Sequence, residues 1–139
     1  MAIPPEVSVY LERSRENLAA AESEFWQGRF NTSASRAYYA AFLAAVAMLL
    51  HAGVPQPTGG RIWDHGFVQA EFVRRFIHRR KLYPAEYAAV LDNLMERRHR
   101  ADYRLTPVSR RQADRSRSDA RRFVERIIDV IRDERGEGP

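Results

Sequence analysis

The stretch AYYAAFLAAVAMLL, residues 37–50, decides the fold, because its 14 consecutive residues are all apolar. A helix that spans a membrane needs about 20 such residues, so this run predicts a buried core helix in a cytoplasmic protein. Asn31 is a plausible cap before the helix and Gly53 a plausible terminator after it, which predicts a helix over about 32–52. Since this helix is apolar nearly all round, we expect it at the centre of a bundle.

On both sides of this core helix, apolar residues recur every three or four positions, which is typical of amphipathic helices. The further predicted helices cover about 5–27, 64–79, 84–103 and 109 onward. The last of them begins with Ser109 and Gln112, the spacing of a capping box. The chain is therefore predicted to be all-α, an antiparallel bundle of four long helices plus a shorter helix. We expect one domain over residues 1–139, with an ordered core of about 5–133.

The composition excludes several kinds of chemistry. The chain has no cysteine, which excludes disulfides, thiolate catalysis and cysteine-based zinc sites. The four histidines have no metal-ligand spacing and no glycine-rich phosphate loop is present, so we expect neither a metal nor a cofactor. The N-terminus lacks a basic segment followed by an apolar run, so we expect no signal peptide and no membrane contact.

Positive charge is concentrated in the last part of the chain. The net charge is +5, and 22 of the 23 basic residues are arginine. From Glu96 to Arg126, 11 arginines stand against five acids, a net of +6. Charge focused in this way suits a phosphate backbone or an acidic protein. The alternative is a solvated helix face with ion pairs within the helix.

The helix predicted over 84–103 breaks the usual apolar pattern at its end. Its inward stripe consists of Tyr87, Leu91, Leu94, Arg98 and Asp102, each three or four residues from the last. Arg98 is therefore either part of a buried structural ion pair with Asp102 or a site residue at the open end of a groove. Arg97 and Arg100 are expected to point elsewhere as surface arginines, where they are candidates for binding a nucleic acid.

The beginning of the core helix supplies a second group of candidates. Arg36 adjoins the apolar run, and Tyr38 and Tyr39 are expected to point to different sides. They are either core aromatics beside an arginine with a buried stem, or a group in which Arg36 and a tyrosine hydroxyl face the same groove as Arg98. His65, at the start of the helix predicted over 64–79, is either a capping residue or a site residue.

Two segments resemble one known family. NTSASRAYYAAF, residues 31–42, is similar to the start of the central helix in HEPN-domain proteins, and RHRADY, residues 98–103, is similar to the signature at the end of a later helix. Between them stands WDHGFV, residues 63–68, and a final helix with ARRFV at 120–124 follows, in the family's order. The resemblance extends from about Tyr10 to Ile131.

The resemblance implies a small helical bundle that dimerises. Many HEPN domains are metal-independent RNases, often toxins paired with a nucleotidyltransferase-type antitoxin. Their motif is an arginine followed, after four to six residues, by a histidine, and two such motifs meet across the dimer. The arginine would hold the phosphate and stabilise charge in the transition state, and the histidine would transfer protons.

This chain departs from the motif at the histidine, because Asp102 and Tyr103 stand where that residue is expected. The candidate catalytic residues are therefore Arg98, Asp102 and His99. The resemblance to the subgroup with an Ala-Asp-Tyr ending makes Tyr103 a candidate for orienting a phosphate or for accepting a group from a nucleotidyltransferase. Aspartate is a poorer proton shuttle than histidine at neutral pH.

Two functions follow from these residues. The preferred hypothesis is a module that binds RNA or a nucleotide and partners a nucleotidyltransferase in a toxin–antitoxin-like system, with RNase activity weak or lost. The alternative is an active, metal-independent RNase toxin that cleaves RNA at a dimer-interface site.

Overall fold

The computed structural model describes residues 3–59 and 62–136, and within these residues it contains five α-helices and no strand. The helices are α1 (Pro5–Trp26), α2 (Phe30–His51), α3 (His65–Phe72), α4 (Val90–Tyr103) and α5 (Arg110–Glu134). The predicted all-α bundle is confirmed. Gly60 and Arg61, at the end of the loop between α2 and α3, lie outside the described residues, as does the end of the C-terminal tail.

The core helix predicted from residues 37–50 lies at the centre of the bundle. The helix α2 packs against all four other helices. Many of its buried positions are alanines, whose small side chains let α1 come close. Two buried serines tie the pair together, since Ser14 Oγ donates to the carbonyl of Ala40 at 2.6 Å and Ser33 Oγ donates to that of Ala21 at 2.7 Å.

The same helix is long and apolar enough to cross a membrane by length and composition alone. However, 72% of its most apolar 18-residue window is buried inside the bundle. A helix covered by its own protein to this extent is a core helix rather than a lipid-facing one.

The predicted start of the core helix is wrong in one detail. The helix begins at Phe30, and Asn31 does not cap it. Instead, Asn31 Oδ1 accepts a hydrogen bond of 2.8 Å from the backbone N–H of Val108, which holds the connection between α4 and α5 against the start of α2. The sequence could not indicate this contact, because the two residues are 77 positions apart.

The capping box predicted at the start of α5 is confirmed. The Gln112 N–H donates to Ser109 Oγ at 3.1 Å, and the Ser109 N–H donates to Gln112 Oε1 at 3.0 Å. At the start of α3 the cap is Asp64, whose Oδ1 accepts from the Phe67 N–H at 2.9 Å. His65 is therefore not the cap, and its side chain is available for other contacts.

The two middle helices are less regular than predicted. The helix predicted over 64–79 is α-helical only to Phe72 and continues as a π-helical segment, Val73–Arg79. The helix predicted from Pro84 begins with a 3₁₀ segment, Ala85–Ala89, before α4. Its apolar stripe nevertheless buries Leu91 and Leu94. Further along α4, Arg98 contacts Tyr38 and Tyr39 of α2.

Candidate functional site

Arg98 lies where the apolar stripe of α4 ends, and its side chain is only 17% exposed. Its Nε is 3.2 Å from Asp102 Oδ2, which makes an ion pair but not a hydrogen bond. Within residues 3–59 and 62–136, the one hydrogen bond of its guanidinium runs from Nη1 to the Met95 sulfur at 3.7 Å, and a thioether is a weak acceptor. The guanidinium is thus held in place while most of its donor capacity remains available to a ligand.

Three tyrosine rings surround this guanidinium, and we call Tyr38, Tyr39 and Tyr103 the tyrosine cage. The Arg98 Cζ lies 5.1 Å from the ring centroid of Tyr39, 5.6 Å from that of Tyr38 and 5.9 Å from that of Tyr103. Contacts of this kind between a cation and an aromatic face are worth about 0.5–2 kcal/mol each. The cage therefore fixes the position of Arg98 without using its hydrogen-bond donors.

The prediction that Tyr38 and Tyr39 point to different sides is wrong, because the two rings contact the same guanidinium group. Their ring centroids are 5.2 Å apart in an edge-to-face arrangement, and both rings touch Arg98. Consecutive residues are about 100° apart around a helix, but long aromatic side chains can converge on a group that lies over the sector between them. Tyr38 is 3% exposed, whereas Tyr39 is partly exposed at the mouth of the site.

A hydrogen-bonded chain leads from the tyrosine cage to α3. The Tyr38 hydroxyl is 2.9 Å from His65 Nδ1, and His65 Nε2 is 2.9 Å from Asp92 Oδ1. Burial raises the pKa of Tyr38 to about 12, against the opposing effect of Arg98, so the hydroxyl stays protonated and donates to Nδ1. We assign the ring proton to Nε2, because the Asp92 carboxylate can only accept.

Sequence reasoning missed Asp92, which belongs to this chain of contacts. Asp92 lies off the inward stripe of α4, and 27 residues separate it from His65. Its Oδ2 is also 3.4 Å from Gln69 Nε2, which donates to the Ala88 carbonyl at 2.6 Å. No local pattern signals such a contact, because only the packing of α3 on α4 brings these residues together.

Arg36 reaches the same site from the outer side of Tyr39. Its Cζ lies 5.0 Å from the Tyr39 ring centroid, and its Nη1 donates to Asn17 Oδ1 at 2.9 Å. Two guanidinium groups, those of Arg36 and Arg98, thus contact one tyrosine ring.

His99 and Tyr103 lie at the exposed edge of the site. Their ring centroids are 5.0 Å apart, and Tyr103 is 66% exposed. His99 therefore touches the cage through Tyr103 and is itself exposed. Asp102, predicted on the inner face, lies at the rim with its side chain 31% exposed.

Arg97 is not the ordinary surface arginine that was predicted. Its side chain is only 15% exposed, and its Nη1 donates to Asp119 Oδ2 at 3.1 Å and to the buried Ser116 Oγ at 3.3 Å. Arg97 thereby joins α4 to α5. Arg100 is partly exposed, and no side-chain contact ties it to the cage among residues 3–59 and 62–136. In the same residues, no group of three or more histidines and carboxylates could hold a metal ion.

Comparisons with known proteins match the sequence of this chain to one family. The model of the HEPN domain matches residues 7–131. A protein of the UPF0332 group from Pyrococcus horikoshii is 32% identical over an alignment 88 positions long, which covers 58% of this chain and 62% of that protein. A protein named as a candidate toxin from Methanocaldococcus jannaschii is 26% identical over an alignment 139 positions long, which covers 94% of this chain and 92% of that protein.

Proposed function

This chain belongs to the HEPN domain family, and we propose on that premise that Arg98 and the tyrosine cage bind a phosphate group of RNA or of a nucleotide. The observation that supports this proposal most is that the Arg98 guanidinium is largely buried beside a weak hydrogen-bond acceptor. Arg98 carries its charge in a largely buried position and has an ion pair with Asp102 through Nε at 3.2 Å, yet its Nη1 donates to a thioether. A phosphate offers the charged oxygen acceptors that match an arginine fork, and such bonds are about twice as strong as neutral ones.

We propose further that RNA cleavage is weak or lost, because the site lacks a free group for proton transfer near pH 7. Both ring nitrogens of His65 are engaged, one by the buried Tyr38 and the other by Asp92. The exposed ring of His99 packs against Tyr103 at the outer edge of the site. Asp102 is the ion-pair partner of Arg98, with Oδ2 3.2 Å from the Arg98 Nε, so it is not a free group in the place of the family's histidine.

The same surface supports proposals about assembly. Tyr103 is mostly exposed and Leu105, just after the end of α4, is completely exposed. Large apolar side chains next to a charged site are typical of a surface that another protein covers. We propose a homodimer in which two Arg98 sites face each other, and a nucleotidyltransferase-type partner that reaches Tyr103. The name of the relative from M. jannaschii supports a toxin-like context for the pair.

The binding proposal is tested with a fluorescently labelled RNA and with the Arg98→Ala variant. Because this variant lacks one charge-assisted contact, we expect it to bind RNA about 10- to 100-fold more weakly than the wild type, with unchanged helical circular dichroism. Arg79→Ala is the control, because Arg79 is exposed and lies in the π-helical segment. Equal affinities for the wild type and Arg98→Ala would overturn the proposal. Light scattering should show a species of twice the chain's mass.

A second candidate function is an active RNase, and one observation favours it. His65, held by Asp92, contacts Tyr38, and Tyr38 contacts Arg98. A histidine oriented by a carboxylate is a common arrangement for general base catalysis. If this function is the right one, purified protein cleaves RNA in EDTA, and His65→Ala abolishes that cleavage while RNA binding persists.

A further inference from the structure

A second positively charged surface lies on the face of α4 that carries Arg97, in the groove between α4 and α5. The groove has a volume of about 710 Å³ and is lined by six arginines and three acids, a net of +3. The six arginines are Arg97, Arg111, Arg115, Arg117, Arg121 and Arg122. This groove accounts for much of the positive charge that the sequence concentrates between Glu96 and Arg126.

Arg111 and Arg115 are among the arginines of this groove that are available to a ligand. Arg111 and Arg115 lie one turn apart on α5, both are exposed, and neither has a hydrogen bond or an ion pair within the described residues. With Arg122 they form a ridge about 16 Å long, at 1.5 Å per residue. Arg122 carries only an exposed pair with Asp119 at 3.1 Å. Guanidinium groups that are not neutralised by the protein attract a polyanion.

An exposed tryptophan lies beside the groove. Trp26, the last residue of α1, is 63% exposed. The Cζ of Arg117, which lines the groove, is 5.3 Å from its ring centroid, and the Cζ of Arg110 is 5.8 Å away. The indole Nε1–H donates to Glu22 Oε1 at 3.1 Å, so the ring is oriented while most of its surface remains in solvent.

We propose that this groove and Trp26 together bind single-stranded RNA, with the backbone along Arg111 and Arg115 and a base stacked on Trp26. A basic groove that follows the backbone, combined with an aromatic ring that stacks on a base, is how proteins bind single strands without reading their sequence. A duplex does not suit this site, because its bases are already stacked on one another. The inference rests on the proposed function in taking RNA as the ligand, but the site is separate from Arg98.

Arg97 and Arg98 connect the two sites through α4. Arg97 lines the groove and Arg98 lies in the tyrosine cage, although the two residues are neighbours in the chain. The two sites therefore lie on different faces of the same helix. Longer RNA would gain affinity from both sites, whereas a dinucleotide is long enough for only one of them.

The test compares a labelled 15-nucleotide oligouridylate with a labelled dinucleotide, measured by fluorescence anisotropy over a range of salt concentrations. The double variant Arg111→Ala/Arg115→Ala should bind the 15-mer about tenfold more weakly, with the slope of log K against log salt reduced by about 1.4, or about 0.7 for each phosphate contact. Trp26→Ala should weaken the same binding about tenfold. Dinucleotide binding should change in neither variant and should be lost in Arg98→Ala.

The matched control is Arg132→Ala, an exposed arginine on the same helix and about 25 Å from Arg115. It should alter 15-mer binding less than twofold. In a Trp63→Phe variant, Trp26 is the one remaining tryptophan, and saturating oligouridylate should quench its fluorescence.

Unchanged 15-mer affinity and salt slope in the double variant would overturn this inference, as would equal competition by duplex RNA. Dissociation of a dimer in the double variant, seen by light scattering, would also overturn it and would assign the groove to a protein interface. The proposed function fails separately, if Arg98→Ala leaves dinucleotide binding intact.

Discussion

Arg97 and Arg98 are neighbours in the chain with the same side chain, and the structure uses them in opposite ways. Arg97 donates to Asp119 and to the buried Ser116, so its charge is neutralised by the joint between α4 and α5. Arg98 is caged by tyrosine rings; it has an ion pair with the rim residue Asp102 at 3.2 Å, but its hydrogen bond goes to a sulfur atom. The difference shows that burial of an arginine does not by itself indicate a structural role; the acceptors around its donors decide.

The largest expected difference between the two residues is in RNA binding. Arg98→Ala should weaken RNA binding about 10- to 100-fold, because it removes charge-assisted bonds to a phosphate. Arg97→Ala should weaken it only a few-fold, since the donors of Arg97 are already engaged. Anisotropy titrations of both variants at one salt concentration measure this contrast. Equal losses in the two variants would mean that the arginines act through net charge alone. Arg98→Lys keeps the charge but lacks the planar fork, so it should recover only part of the affinity.

The contrast should reverse when stability is measured. Arg97→Ala leaves the Ser116 hydroxyl buried and Asp119 without one of its partners, which should lower the free energy of unfolding by about 1–3 kcal/mol. Urea unfolding followed by circular dichroism measures the change. Arg122→Ala is the control, because it removes the other, exposed partner of Asp119. A loss in the control as large as that in Arg97→Ala would contradict the structural role of Arg97.

Alkaline pH should lower the free energy of unfolding, because Tyr38 of the tyrosine cage is buried in its protonated form. Burial raises the pKa of Tyr38 to about 12, above the value near 10 of an unfolded tyrosine. The contribution of the protonated Tyr38 to the free energy of unfolding is therefore fully present below pH 10. It is lost as the pH rises from 10 to 12, and the loss is on the order of 2 kcal/mol. Burial also raises the pKa of Tyr83, which adds to the loss. Urea unfolding between pH 9 and 11.5 should show a smaller decline in Tyr38→Phe than in the wild type. Parallel declines in the two proteins would be the contrary result.

The smallest expected effect is that of Tyr38→Phe at neutral pH. The change removes the hydrogen bond to His65 but keeps the ring against Arg98, so the free energy of unfolding should fall by about 1 kcal/mol. RNA binding should remain within about threefold of the wild type, since the donors of Arg98 are untouched. Loss of binding as severe as in Arg98→Ala would mean that the Tyr38 hydroxyl itself contacts the ligand.

The sequence predicted the parts of the molecule that local spacing determines. The apolar run at 37–50 predicted a central helix, and the pair Ser109 and Gln112 predicted a capping box, because both signals lie within a few turns of chain. Arg98 stood out for the same reason, as a charge at the next step of an apolar stripe. These features need no knowledge of how the helices pack.

The sequence could not predict contacts made between helices. The pairing of His65 with Asp92, the bond from Val108 to Asn31 and the bond from Arg97 to Asp119 join residues 22 to 77 positions apart. For Arg97, spacing on its own helix predicted exposure, while the facing side of α5 supplied two acceptors. The convergence of Tyr38 and Tyr39 on Arg98 depends on side-chain directions, which helical spacing alone does not specify.

The central claim, that Arg98 binds phosphate in a site without a proton-transfer group, is tested most directly by incubating purified protein with total RNA in EDTA and analysing the RNA ends. The account predicts that the wild type binds the RNA but leaves it intact. It also predicts that Tyr103→His, which leaves four residues between Arg98 and the new histidine as in the family's motif, produces 2′,3′-cyclic phosphate ends. Robust cleavage by the wild type that is lost in Arg98→Ala would contradict the account and establish the site as an active RNase.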